Sequence, residues 1–313
     1  MELNELNKQA MGGTELMQKR LHASISPSIL NNFQIIPSRV REFQKGKKHI
    51  YWVHDLAQDP EVQHLKNGGW NRFDKIVFVS HWQQQQYHNL LGVPYSAGTV
   101  IKNAIEPIET HEKPDLVNNP IRIVYFSTPH RGLDILIQVF SELSKKYDDI
   151  ELDVISSFGL YGWKERDKPY FPLINFCKRH KKINYYESMP NDQLREHLKT
   201  CHIFAYPSTW METSCLCLIE AMSAGLTCVH STLGALPETS MHLTMQYDYQ
   251  EDKEKHAQIF YSNLKNAIDM YRGKNVQSVI DNANRIKMVT DSVFNWNQRI
   301  VEWENLLRSL NTR

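Results

Sequence analysis

Short apolar runs rich in β-branched and aromatic residues alternate along this chain with stretches of helical periodicity, and no other feature constrains the fold as much. Ile50-Tyr51-Trp52-Val53 and Ile76-Val77-Phe78-Val79 read as strands. The segment from Trp82 to Leu91 follows as a helix, and Gly98-Thr99-Val100-Ile101 reads as a further short strand. The stretch from Glu106 to Pro120 is polar, carries Pro107, Pro114 and Pro120, and lacks apolar periodicity, so it reads as an interdomain linker. The alternation then restarts. Ile121 to Phe126 is a buried strand, and Leu133 to Tyr147 a helix with Leu133, Leu136, Ile137 and Phe140 at helical spacing. Strands are expected at Leu152 to Ile155, Ile183 to Tyr186, His202 to Tyr206 and Leu226 to Val229. Asn191 reads as the cap of a helix through Leu198, and Gly225 as the end of a helix from Leu216 to Ala224. From about Asp252 the chain is helical to its end.

Strands that alternate with helices pair in parallel, because a parallel pair needs a crossover long enough to carry a helix. Two alternating halves in 313 residues suit two doubly wound domains. The expected organisation is a first domain over 1–108, a linker over 109–120, a second domain over 121–290 and a terminal helical segment over 291–313. No β-like run is visible from Met1 to Ala10, which leaves two readings, a first domain without a leading strand or a mobile loop at Gly12-Gly13. In such sheets ligands bind beyond the carboxyl ends of the strands, which directs attention to the residues just after each one.

Composition removes several function classes. A formal net charge of +1 gives no general attraction to nucleic acid. The basic run from Lys178 to Lys182 reads as a solvated helix end. No apolar run approaches the ~20 residues needed to cross a bilayer, and the polar, acidic N-terminus is not a secretory signal. Five cysteines in apolar contexts read as reduced thiols of a cytoplasmic protein. Cys215 and Cys217 are too close for the usual Cys-x2-Cys pair and no His-Glu-x-x-His occurs, so no protein-bound metal is expected.

The stretch from Tyr206 to Glu238 carries the chemistry. Glu212 follows a strand, and Glu220 comes eight positions later among Leu218, Ile219, Ala221 and Met222. A carboxylate in so apolar a helix needs a partner, and the vicinal diol of a ribose would be one; an ion-paired acid is the alternative. Glu212, Glu220-Ala221-Met222-Ser223-Ala224-Gly225, Gly234 and Glu238 fall in order and spacing on a Glu-x7-Glu signature followed by a Gly-x-x-x-Glu loop. In this the segment resembles the retaining glycosyltransferases of family 4. Their GT-B fold has two Rossmann-like doubly wound domains facing a cleft, with a C-terminal helix crossing back to the first domain.

The resemblance implies that Glu212 contacts the donor sugar and that Glu220 holds the ribose. Backbone N–H groups of Ser214, Cys215 and Leu216 would face the sugar or diphosphate, where a helix start favours an anion. The family usually has Gly-Phe-Gly where this chain has Thr213-Ser214-Cys215. Phe126-Ser127-Thr128-Pro129-His130-Arg131-Gly132-Leu133 stands where the family has a strand, a Gly-Arg and a Lys-Gly opening a helix. Ser127 and Thr128 become donor-binding candidates, and Arg131 the clamp that neutralises the leaving diphosphate. Thr128 replaces a customary arginine. By the same resemblance Gly12 and Gly13 lie against the donor phosphates, His54 faces the reacting sugar and Glu238 completes the donor site. Val79-Ser80-His81-Trp82 and Val100-Ile101-Lys102-Asn103-Ala104-Ile105 match two further family stretches. The terminal helix, with Trp296, Ile300, Trp303, Leu306 and Leu307 at helical spacing, is expected to pack back on the first domain.

The function so implied is metal-independent transfer of a sugar from a nucleoside diphosphate sugar to an acceptor hydroxyl, with retention, in glycan or glycoconjugate synthesis. No cofactor is implied; a UDP-sugar is favoured and a GDP-sugar is the alternative. The acceptor is a glycan, lipid or protein, nucleic acid is not a partner, and a peripheral membrane contact is left open. No Asp-x-Asp triplet occurs, which speaks against a metal-dependent transferase of the other major fold. The rival readings are a nucleotide-sugar epimerase or hydrolase on the same scaffold, and a non-catalytic binding protein with a degenerate donor site.

Overall fold

The computed structural model describes residues 12–311. The described chain forms two compact units: the first comprises residues 12–106, 212–216 and 293–311, the second residues 107–211 and 217–292.

In the first unit, α1 (Gly13–Ser24) and α2 (Pro27–Leu30) precede β1 (Phe33–Pro37), β2 (Lys48–Trp52) and β3 (Lys75–Phe78), followed by α3 (His81–Leu91) and β4 (Gly98–Val100). The four strands pair in parallel in the order β1-β2-β3-β4. Alternation along β2 shows why its apolar run is a strand buried on both faces. Ile50 and Trp52 join one core with Met17, Leu21 and Trp303, while Tyr51 and Val53 join a second with Phe78 and Tyr87. Ser80 caps α3 by accepting from the Gln83 N–H at 3.0 Å.

In the second unit the chain runs β5 (Ile121–Tyr125), α4 (Leu133–Leu143), β6 (Ile150–Ile155), α5 (Phe171–Arg179), β7 (Ile183–Tyr186) and α6 (Asn191–Leu198). It continues through β8 (Ile203–Tyr206), α7 (Leu216–Ser223), β9 (Thr227–Ser231), α8 (Leu236–Thr239), β10 (Met245–Tyr247), α9 (Lys253–Arg272) and α10 (Val276–Val293). All six strands are parallel, in the order β10-β9-β8-β5-β6-β7. The order reverses between β5 and β8, the switch point at which doubly wound sheets open a crevice for ligands. β8 at the centre is buried at every residue.

The terminal helix α11 (Trp296–Asn311) belongs to the first unit, where Trp303 meets Trp52 edge-on at 4.9 Å. Trp296 and Trp303 are core residues. The irregular stretch after β4 is tied down within the second unit: the Ile108 N–H donates to Ser223 Oγ at 2.9 Å, and Lys113 Nζ donates to the Ala224 carbonyl at 2.8 Å. The buried ammonium of Lys287 donates to the carbonyls of Ile108 and Ser223 and to Asp291.

Several local expectations need correction. The helix begun at Leu133 ends at Leu143 and closes through a turn, in which the Tyr147 N–H still reaches the Leu143 carbonyl. Asn191 is the first helical residue of α6, with Pro190 in the cap position. The helical stretch after Asp252 is three helices, broken at Gly273 and at Phe294-Asn295. The strands β1 and β10 and the helix α5 are additions that the sequence pattern does not announce. The expectation of no strand from Met1 to Ala10 concerns residues outside those described. No described helix is long and apolar enough to cross a membrane.

Candidate active site

In the second unit the candidate residues gather on the loops that leave β5 and β8. The β5–α4 loop holds Ser127, Thr128 and Arg131. It is fixed by Tyr125, whose hydroxyl donates to the Thr128 carbonyl at 2.8 Å, and by the Arg131 N–H, which donates to that same oxygen at 3.2 Å. Gly132 ends the loop at φ +97°, and a Cβ there would lie 2.1 Å from the Pro207 carbonyl oxygen. Only glycine lets the loop that carries Arg131 lie this close to the loop that leaves β8. Thr209 Oγ1 donates to the His130 carbonyl at 3.3 Å, and the His130 ring stacks on Phe158 and meets Trp210 edge-on at 5.1 Å. Burial, and then the Arg131 charge beside it, pushes His130 down to about 4, so this imidazole is neutral at pH 7.

α7 starts where β5 ends: Cys217 Sγ donates to the Phe126 carbonyl at 3.0 Å. Glu220 lies on this helix, 5% exposed, among fully buried Leu218, Ile219, Ala221 and Met222. Its Oε1 accepts from Asn191 Nδ2 at 2.7 Å. Two buried hydroxyl oxygens at the ends of neighbouring strands, Thr128 Oγ1 after β5 and Ser156 Oγ after β6, have no hydrogen-bond partner among the described residues. Orphaned buried hydroxyls are costly, and a polar ligand beyond these strands would satisfy both. Glu238 lies half-buried in α8, four residues beyond Gly234 at φ +66°.

The first unit assembles the other candidates. His54 follows β2, its ring 4.8 Å from that of Trp52. Its carbonyl accepts from Thr213 Oγ1 at 3.0 Å. Its buried Nε2 has no hydrogen-bond partner among the described residues, and burial pushes its pKa down to about 3. His54 is therefore a neutral imidazole at pH 7, suited to hydrogen bonding and not to holding positive charge. Beside it Asp55 is raised above the ordinary carboxylate range, chiefly by burial. Gly13 opens α1 against Leu216, whose Cδ1 would be 2.8 Å from a Cβ at that position. Glu212 is 5% exposed. Gly12, Gly13, His54 and the whole of Glu212–Leu216, with Ser214 and Cys215, thus share one compact unit, while Arg131, Ser127, Thr128, Glu220 and Glu238 share the other.

Sequence reasoning misses two contacts here. Thr213 reads only as a departure from glycine, yet its hydroxyl holds the His54 backbone. Asn191 reads as a cap, yet its amide is one partner of the buried Glu220. A third feature also escapes it: a trio within 4.8 Å, Asp153, His197 and Cys201, whose members come from β6, α6 and the turn before β8. Asp153 there accepts from Asn184 at 2.9 Å, contacts His197 at 2.8 Å and lies 3.6 Å from the Arg122 guanidinium, a hydrogen-bonded ion-pair network.

Two parallel α/β domains with polar groups massed at the carboxyl ends of the strands define the GT-B class of fold. The chain resembles HepE of Anabaena, solved in complex with UDP-glucose (TM-score 0.63, 18% identity, 84% of this chain and 72% of that one). It also resembles a glycosyltransferase from Rickettsia africae (TM-score 0.67, 13% identity, 98% of this chain and 84% of that one).

More narrowly, residues 109–247 match the family described as glycosyl transferases group 1. A phosphatidylinositol N-acetylglucosaminyltransferase subunit of Arabidopsis thaliana is 24% identical over 208 residues, 62% of this chain and 43% of that relative. The chain therefore matches less than half the length of this curated relative.

Proposed function

We propose that this protein is a retaining, metal-independent glycosyltransferase of family 4 that moves a sugar from a nucleoside diphosphate sugar to an acceptor hydroxyl. The observation that carries the reading is Glu220: a buried acid in an apolar helix, held by a neutral amide, eight positions after Glu212 and inside the group 1 match. Such a carboxylate accepts hydrogen bonds from a ribose diol without a metal.

In this reading the second unit grips the nucleotide. Arg131 and the N–H groups at the start of α7 take the charge that builds on the diphosphate as the glycosidic bond breaks. Ser127, Thr128 and Glu238 line the donor site. In the first unit, Glu212 and the neutral His54 hydrogen-bond the sugar as oxocarbenium character develops, and Gly12 and Gly13 admit the phosphates. The acceptor oxygen attacks the face from which the diphosphate departs, and its proton passes to the leaving phosphate, so configuration is retained. UDP is the favoured nucleotide because HepE, similar in fold, was solved with UDP-glucose. N-acetylglucosamine and a phosphatidylinositol-like lipid acceptor enter the panel because they stand in the name of the Arabidopsis relative.

Thermal-shift screening against UDP, GDP and their sugars tests the reading. Stabilisation by a nucleoside diphosphate, lost in Glu220→Ala, supports it. No nucleotide affinity would identify a binding protein instead, and donor conversion without transfer to any acceptor would identify an epimerase or hydrolase.

A further inference from the structure

Asn191 occupies the first helical position of α6, but its side chain caps nothing. Its amide crosses to another helix and donates to Glu220 Oε1 at 2.7 Å. A carboxylate offers about four acceptor positions on two oxygens. Both hydroxyls of one ribose are met only when that group is held in a single orientation. A neutral amide is suited to hold it, because it donates without cancelling the charge of Glu220, whereas lysine would neutralise it and aspartate would repel it.

We infer that Asn191 is a positioning residue for nucleotide recognition: by fixing the Glu220 carboxylate it makes the site selective for a ribonucleoside over a 2′-deoxyribonucleoside diphosphate. The inference rests on the reading of Glu220 as the ribose acceptor. The alternative is that the amide only satisfies a buried acid. That role would alter stability and leave the preference between the two sugars untouched.

The test is calorimetric titration of the full chain with UDP, GDP and the 2′-deoxy form of each, for the wild type, Asn191→Ala and Asn191→Asp, at pH 5.5 and pH 8. The wild type prefers the ribonucleotide by about tenfold or more, the scale of a hydrogen bond to a charged group. In Asn191→Ala, ribonucleotide affinity falls about tenfold while 2′-deoxy affinity changes little, so the ratio collapses toward one. In Asn191→Asp the preference is absent at pH 8, where two carboxylates face each other. It returns at pH 5.5, where a proton held between them restores a donor. The aspartate variant carries the test if the alanine variant does not fold. A preference that survives both substitutions at pH 8 overturns the role of Asn191 and leaves the ribose reading of Glu220 standing. A wild type that binds the ribo and 2′-deoxy forms equally, or neither, overturns that reading itself.

Discussion

Lowering the pH below neutrality should destabilise the second unit through His230, by an amount that follows from its surroundings. His230 lies fully buried on β9, with Nδ1 2.8 Å from the Ser231 carbonyl and Nε2 2.7 Å from Thr244 Oγ1. A carbonyl only accepts, so Nδ1 carries the proton and Nε2 accepts from the threonine hydroxyl. Burial outweighs the help of the carbonyl and pushes the folded-state pKa from 6.5 to about 4. The unfolded chain therefore binds the proton first, and the neutral form stabilises the fold fully above pH 6.5. That stability is lost as the pH falls toward 4, with about 2 kcal/mol gone by pH 5 and about 3 kcal/mol in the limit. His202, also buried and pushed down to about 4, adds a loss of the same sign. Urea unfolding of the wild type and of His230→Asn at pH 7.5, 6 and 5 measures the slope. The variant starts less stable, having lost two hydrogen bonds, but should shed about 2 kcal/mol less between pH 7.5 and pH 5. An unchanged slope in His230→Asn would refute the burial argument.

Gly132→Ala sets a Cβ 2.1 Å from the Pro207 oxygen in a left-handed backbone, so a loss on the order of 3 kcal/mol, read by urea unfolding, should accompany weakened nucleotide binding as the Arg131 loop moves. Thr213→Val removes the donor to the His54 carbonyl while keeping its shape; transfer rate should fall about tenfold with nucleotide affinity within twofold, a split that steady-state kinetics and titration resolve together. Trp303→Ala opens a cavity against Trp52 and should cost about 3–5 kcal/mol by chemical denaturation, without changing nucleotide recognition by the second unit.

What the sequence discloses depends on the range of the forces involved. β5 and β8 are visible because central parallel strands are apolar on both faces, and their burial leaves a run such as Ile203 to Tyr206. β1 escapes notice because Gln34 and Pro37 interrupt a five-residue run, and β10 because Met245–Tyr247 is three residues long and mostly half-buried. Glu212 and Glu220 stand out in the sequence because their order and spacing resemble the family 4 signature, a pattern confined to one local loop and helix. The contacts around the candidate residues are not visible in it, because within each unit the partners are distant in sequence: Thr213 reaches His54 across 159 residues, and Asn191 reaches Glu220 across 29. Lys287 is buried and bonded to the Ile108 carbonyl, 179 residues away, a contact that no local pattern announces. Asparagine at a helix start reads as a cap because that is the locally cheapest use of its amide. A carboxylate elsewhere in the fold changes the outcome.

The transfer chemistry is tested most directly by following a UDP-sugar panel by proton NMR with the wild type and Glu212→Ala, reading nucleoside diphosphate release and the anomeric configuration of the sugar as it first appears. The wild type should release the diphosphate from one donor and deliver its sugar with configuration unchanged, and Glu212→Ala should do so at least a hundredfold more slowly, on the order of 3 kcal/mol of transition-state stabilisation. Inverted configuration, or undiminished turnover in Glu212→Ala, would contradict the account.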